Sequence, residues 1–203
     1  MSLLEQIITN KGKLQSVETV TSTLFGNKFI EKVDKSGQIS KQKVLGTCPG
    51  FVMDNKLDLQ IAQILNYLYL GSQDPAQDSD LLEKNGITHV LSIGVDLPQK
   101  NLPNCHFQKV ELLDEPGVNM FDALQFSINF INNVIAENGN NKIFVHCNAG
   151  YSRAPAIIIG YLMKTLGLSL QEALCKVNEK RKVKPNDGFL RQLKELEQQL
   201  RQQ

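Results

Sequence analysis

Two short apolar runs do most to limit what this chain can fold into. Residues 88–93 (THVLSI) and 142–146 (KIFVH) are short, mostly apolar runs with β-branched residues. Each is too short for a helix, so each reads as a strand buried on both faces. Such strands need helices above and below them, and the chain supplies these. Residues 74–84 read as a helix with Pro75 in its first turn, closed by Gly86. Residues 120–137 carry Phe121, Leu124, Ile128, Ile131 and Ile135 at spacings of three and four, which places them on one helical face. Residues 154–166, 170–182 and 187–201 continue the helical pattern, with Ser169 as an N-cap. Further strands are expected at 59–64, 68–70 and 107–113. Strands that alternate with helices in this way predict an α/β fold, a mostly parallel twisted sheet flanked by helices on both faces.

The first 56 residues differ. They are rich in Lys, Thr, Gln, Ser and Asn and lack a long apolar period. A short helix at 2–9 and a strand at 19–24 are expected, with 35–43 as linker. The domain reading is a partly ordered extension over 1–56 and one main domain over 57–203.

Composition removes several function classes. The 22 Lys+Arg and 21 Asp+Glu leave a net charge of +1, which excludes a chain built mainly to neutralise nucleic-acid phosphates. No apolar run reaches the roughly 18 residues of a membrane span. The four cysteines, Cys48, Cys105, Cys147 and Cys175, contain no Cys-x-x-Cys pair, so neither a disulfide framework nor a structural zinc site is expected. With no signal peptide legible at the start, the expectation is a reduced, soluble, intracellular domain.

Ligands of sheets of this kind sit beyond the carboxyl ends of the strands. The loop that leaves the 142–146 strand is therefore the informative one: His146-Cys147-Asn148-Ala149-Gly150-Tyr151-Ser152-Arg153, followed by a helix. Backbone amides of Asn148, Ala149, Gly150, Tyr151, Ser152 and Arg153 can form an anion nest, reinforced by the helix N-terminus. Gly150 can take a positive φ where a side chain would clash. Arg153 adds a planar fork for two phosphate oxygens. A thiol at the floor of that positive field is expected to be a thiolate nucleophile at neutral pH. The chemistry this favours is phosphoryl transfer to Cys147 with no metal or cofactor, the loop balancing the phosphate charge.

His-Cys-x5-Arg between a strand and a helix resembles the signature of the cysteine-based protein tyrosine phosphatase superfamily. LYLGSQDPAQD at 68–78, GITHVLSIG at 86–94, VHCNAGYSRAPAIIIGYLM at 145–163 and PNDGFLRQL at 185–193 are similar, in this order, to the small dual-specificity protein phosphatases. The stretches at 50–60 and 20–31 resemble one particular subgroup of them. The resemblance implies hydrolysis of phosphotyrosine and phosphoserine/phosphothreonine through a phosphocysteine. It implies phosphorylated protein substrates, among them kinases of a MAP kinase cascade, and a cytoplasmic or nuclear location. The competing class is a weakly active phosphatase that serves mainly as a kinase-binding scaffold. A phosphatase for RNA 5′ ends or phosphoinositides is disfavoured by the near-neutral charge and by a loop without lysine.

The leaving oxygen needs a proton donor. Asp114, in Leu113-Asp114-Glu115-Pro116-Gly117 just after the 107–113 strand, is the expected acid, with Glu115 second. In the family the residue at His146 orders the loop. His89 reads as a core histidine without a chemical role. Ser152 shapes the loop or caps the helix, and Tyr151 either contacts substrate or covers apolar surface. Lys180, Arg181, Lys182 and Lys184 read as cations at a helix end, or as a surface for acidic phosphopeptides. Asn186 and Phe189 position the last helix. Ala154 departs from the Ser or Thr that most of the family carries there, a hydroxyl that helps the thiolate leave phosphocysteine.

Overall fold

The structure, a computed structural model, describes residues 17–22, 28–33, 39–44, 57–97 and 105–202. The chain divides into two compact units, Met1–Lys56 and Leu57–Gln203.

In the first unit, β1 (Val17–Ser22), β2 (Lys28–Val33) and β3 (Ile39–Val44) form an antiparallel sheet in the order β1-β2-β3. The strand expected at 19–24 is therefore present as β1. Most of the linker expected at 35–43 is not a linker, because β3 takes up 39–43. Its ladder runs from Val33↔Ile39 to Lys28↔Val44, with Glu31 opposite Lys41. The pairing is supplied by β2, and a strand this polar carries no apolar period to announce it. The helix expected at 2–9 lies outside the described residues.

In the second unit, β4 (Ala62–Leu65), β5 (Leu68–Gly71), β6 (His89–Ile93), β7 (His106–Val110) and β8 (Ile143–His146) form one sheet in the order β4-β5-β8-β6-β7. All neighbours are parallel except the β4–β5 hairpin, which contains a bulge. The two runs that set the sequence reading, β6 and β8, lie side by side at the centre and are buried at every position. Their alternation divides the core. Leu68, Leu70, Leu91, Ile93, Ile143 and Val145 pack toward the large helical layer, while Tyr69, Val90 and Phe144 pack with Ala76, Leu82 and Ile87 on the other face.

The large layer is α3 (Phe121–Glu137), α4 (Arg153–Leu166), α5 (Leu170–Lys180) and α6 (Asp187–Leu200). Helix α4 is buried from Arg153 to Met163, so it is the central helix, and Leu124 of α3 packs so closely on Gly160 that a Cβ there would lie 2.7 Å from it. Ser169 caps α5 in a full capping box with Glu172. The opposite face carries α1 (Gln73–Ala76) and α2 (Ser79–Lys84). The single helix expected at 74–84 is thus split, because Asp78 leaves helical geometry and accepts from the Leu81 amide as a new N-cap. Strand β7 ends three residues earlier than expected. Its neighbour β6 stops at Ile93, and the Gly94 amide closes the ladder on the Val110 carbonyl at 2.7 Å. Beyond that point, among the described residues, 111–113 have no strand to pair with. Among the described residues no helix is long and apolar enough to cross a membrane.

Candidate active site

The parallel strands deliver four segments to one sheet edge: Ser72 after β5, Gly94 after β6, residues 111–114 after β7 and Cys147 after β8. The loop from Cys147 to Arg153 is held from outside, carbonyl by carbonyl. The Cys147 oxygen accepts from His146 Nδ1 at 3.3 Å, and the Asn148 oxygen from the Gln73 amide at 2.9 Å. The Ala149 and Gly150 oxygens accept from Arg181 Nη2 and Nε at 2.9 and 3.1 Å. The Tyr151 oxygen accepts from the Lys184 amide at 2.9 Å and the Ser152 oxygen from the Ala156 amide at 3.0 Å. In a planar trans peptide the next N–H points opposite to the carbonyl. Each outward carbonyl therefore turns the following amide away from its partner, so the amides of 148–153 face the inner side of the loop, a nest for an anion. Gly150 has φ +61°, and a Cβ there would run into the Gly71 carbonyl oxygen. No other residue fits that turn.

Cys147 lies at the floor and is 2% exposed. Arg153, at the start of α4, is also buried. Its Nη1 donates to the Gly94 oxygen at 2.6 Å. Gly94 has φ +62°, and a Cβ on it would lie 2.6 Å from that nitrogen. Arg153 Nε is buried with no hydrogen-bond partner, the one such side-chain atom among the described residues. A buried donor left unpaired is costly. One edge of the guanidinium is thus anchored, while an N–H beside the loop still lacks an acceptor.

Asp114 reaches the same place. Its Oδ1 accepts from Ser152 Oγ at 2.6 Å and Asn186 Nδ2 at 2.8 Å, and its Oδ2 lies 3.8 Å from Arg153 Nε. Ser152 Oγ also accepts from the Asn186 amide at 3.1 Å. Ser152 occupies the N-cap position of α4 but makes no cap bond with its side chain, which is committed to Asp114. Asn186 caps α6 through the Phe189 amide, as its expected positioning role requires, and in addition grips Asp114. Gly188 lets the start of α6 approach the Pro116 carbonyl closely. Glu115 is exposed, and so is Tyr151, 48% open at the mouth of the loop, so Tyr151 covers no core.

His146 is buried, and its Nε2 lies 2.7 Å from Ser92 Oγ. A carbonyl can only accept, so Nδ1 carries the proton toward Cys147 O, and Nε2 accepts from Ser92. Burial pushes the ring down to about 4, with the Arg153 charge adding to it and the Cys147 carbonyl opposing. The neutral ring is thus a spacer between the loop and β6. Because its folded value lies below the ordinary 6.5, the unfolded chain takes up a proton first as the pH falls. Stability is fully present above pH 6.5 and is lost between 6.5 and about 4, by about 3 kcal/mol in all. Denaturant titrations at pH 7 and 4.5 should show His146→Asn, less stable at pH 7, losing clearly less than wild type on acidification. Equal losses would remove His146 as the source.

His89 has the satisfied surroundings expected of a core residue: Thr88 Oγ1 at 2.9 Å from Nδ1 and the His106 ring stacked at 5.1 Å. Arg181 departs from its reading as one of several cations at a helix end. It is 8% exposed and bound to the loop. Sequence alone gave no signal that separates it from Lys180 and Lys182. The partners Ser92 and Gly94 were also missed, although both lie within the GITHVLSIG stretch. Among the described residues, no group of three or more His, Cys, Asp or Glu side chains is placed to hold a metal ion.

Comparison with known proteins gives the arrangement a setting. The family model described as the dual specificity phosphatase catalytic domain matches residues 68–199. Dual specificity protein phosphatase 19 of Mus musculus is 35% identical over 188 residues, covering 91% of this chain and 84% of its own. It is the subgroup that the stretches at 50–60 and 20–31 resemble. Among solved structures, DUSP15 is 32% identical with a TM-score of 0.61, covering 70% of this chain and 96% of its own. A mouse putative dual specificity phosphatase complexed with zinc tungstate is 26% identical with a TM-score of 0.65, covering 78% of this chain and 96% of its own.

Proposed function

This chain belongs to the dual specificity phosphatase family and is a protein phosphatase, and from that premise we propose that it works through a phosphocysteine on Cys147. The observation that carries the reading is the unpaired, buried Arg153 Nε beside a ring of inward amides, with a buried thiol below. An oxyanion would satisfy that donor.

In the first step Cys147, as the thiolate, attacks phosphorus through Sγ and forms the S–P bond as the P–O bond to the leaving group breaks. The Asp114 proton goes to the leaving oxygen. In the second step water attacks phosphorus, Asp114 takes its proton, the S–P bond breaks and phosphate departs with Cys147 restored. The loop amides and Arg153 hold the equatorial oxygens throughout. Leu113 and Tyr151 are exposed on the loops that carry Asp114 and Cys147, and the family likeness supports acceptance of phosphotyrosine as well as phosphoserine and phosphothreonine. Phosphorylated kinases of a MAP kinase cascade, met in the cytoplasm or nucleus, are the substrates that the family likeness favours.

Ala154 bears on turnover. It is fully buried in the first turn of α4, with no hydroxyl to offer the departing thiolate. One hydrogen bond to a charged group contributes roughly 1.5–3 kcal/mol, of which only the transition-state share counts, so the second step should be about tenfold slower than with a hydroxyl. This is the feature that favours the second reading, a weakly active phosphatase that also serves as a kinase scaffold. Rapid mixing with p-nitrophenyl phosphate tests both the mechanism and the slow step. A burst of nitrophenol approaching one equivalent per site is expected. Ala154→Ser should raise steady-state kcat about tenfold and shrink the burst. Absence of a burst together with an unchanged kcat in Ala154→Ser would place the slow step before the intermediate.

A further inference from the structure

Arg181 directly follows α5, and the chemistry above makes no use of it. One side of its guanidinium binds the Ala149 and Gly150 oxygens of the loop. The other side binds Asp58, with Nη2 on Oδ2 and Nη1 3.4 Å from Oδ1, and Nη1 also donates to Gln60 Oε1 at 3.3 Å. Asp58 is itself fixed at three points. Its amide donates to Asp74 Oδ2 at 2.9 Å, its carbonyl accepts from Ser72 Oγ at 2.9 Å, and its Oδ1 accepts from the Gln60 amide at 3.2 Å. Burial alone would raise the Asp58 carboxyl, but the hydrogen bond and charge of Arg181 prevail and hold it below its ordinary value.

The two carbonyls held by Arg181 flank the weakest point of the loop. Gly150 has no Cβ to bar rotation of its peptides, and it already sits at positive φ. If the Gly150 carbonyl turned inward, an oxygen would replace the Tyr151 N–H in front of the anion. A donor would become a repulsive acceptor.

We infer that Asp58 and Arg181 form a positioning pair for the oxyanion nest: the carboxylate aims the guanidinium, and the guanidinium keeps the Ala149 and Gly150 carbonyls turned out. The inference rests on the reading of the loop as an oxyanion site. It places a determinant of that site at residue 58, ten residues before the matched catalytic-domain region begins at residue 68.

Positioning and simple charge predict opposite signs. Asp58→Asn removes a negative charge near the loop, so charge alone predicts tighter anion binding. Loss of positioning predicts weaker binding, by about fivefold. Arg181→Lys keeps the charge but cannot span two carbonyls and a carboxylate, and should weaken binding about tenfold, less than the ~10²–10³ seen when a donor is removed outright. The probe is tungstate, titrated calorimetrically into the full chain, with Lys182→Ala as the control for a neighbouring exposed cation. Unchanged or tighter binding in Asp58→Asn overturns the pair, as does wild-type affinity in Arg181→Lys or an equal loss in Lys182→Ala. Should Arg181→Lys fail to fold, Asp58→Asn decides alone. Failure of the wild-type chain to bind tungstate would instead defeat the oxyanion reading itself.

Discussion

Cys147→Ser should lower kcat by about 10⁴-fold or more while tungstate binds within a few-fold of wild type. The expectation of intact binding comes from how the loop is held. Its carbonyls are fixed by His146, Gln73, Arg181, Lys184 and Ala156, none of which contacts the sulfur through these bonds. Replacing sulfur by oxygen therefore leaves the nest in place and removes only the nucleophile. A hydroxyl in the same position is a far weaker nucleophile than a thiolate at neutral pH. No other cysteine among the described residues is placed to take over. Burial pushes the Cys105 thiol up to about 11, and Cys175 is exposed on α5 with Glu179 at 3.7 Å. Because binding survives, the same variant should retain phosphorylated proteins on a column, and tungstate should elute them. Phosphatase activity comparable to wild type in the serine variant would eliminate the covalent mechanism and leave only the nest.

The fold was legible where burial is two-sided. Strands β6 and β8 carry their pattern in their own residues, because every position is buried. The strand–loop–helix around Cys147 was legible for a second reason: a strand, a glycine and an apolar helix in succession leave one way to pass the chain over the sheet edge. Three things were not legible. Strand β3 owes its existence to pairing with β2, and its polar residues give no period of their own. The break between α1 and α2 depends on Asp78 leaving the helix to cap the next turn, where a continuous helix has nearly the same pattern. The buried Arg181 depends on long-range partners, Asp58 and two loop carbonyls, that are remote in sequence. In a run of Lys-Arg-Lys nothing local marks the middle residue as buried. The Ser152–Asp114–Asn186 cluster falls between these cases. Each residue was singled out for a nearby role, but their meeting at Asp114 Oδ1 is set by how the three loops converge.

That convergence shapes what Asp114→Asn should do. Oδ1 already accepts two hydrogen bonds, from Ser152 and Asn186, while Oδ2 is directed toward Arg153 Nε at 3.8 Å. The oxygen free to carry a proton is thus Oδ2, the one on the side of the nest. An asparagine side chain can keep its oxygen in the Oδ1 position and satisfy the same two donors, so the loop should stay in register. What it cannot do is deliver a proton to the leaving oxygen. The cost should scale with how much the leaving group needs that proton. For phenyl phosphate or a phosphoserine peptide, kcat should fall by about 10²–10⁴-fold, whereas an aryl phosphate with a strongly acidic leaving group should lose much less. The leaving-group dependence separates this from a packing defect, which would lower the rate for all leaving groups alike. If Asp114→Asn keeps its rate on phenyl phosphate, and Glu115→Gln loses it, the proton comes from the exposed neighbour, and the Ser152–Asn186 grip serves only to hold the loop.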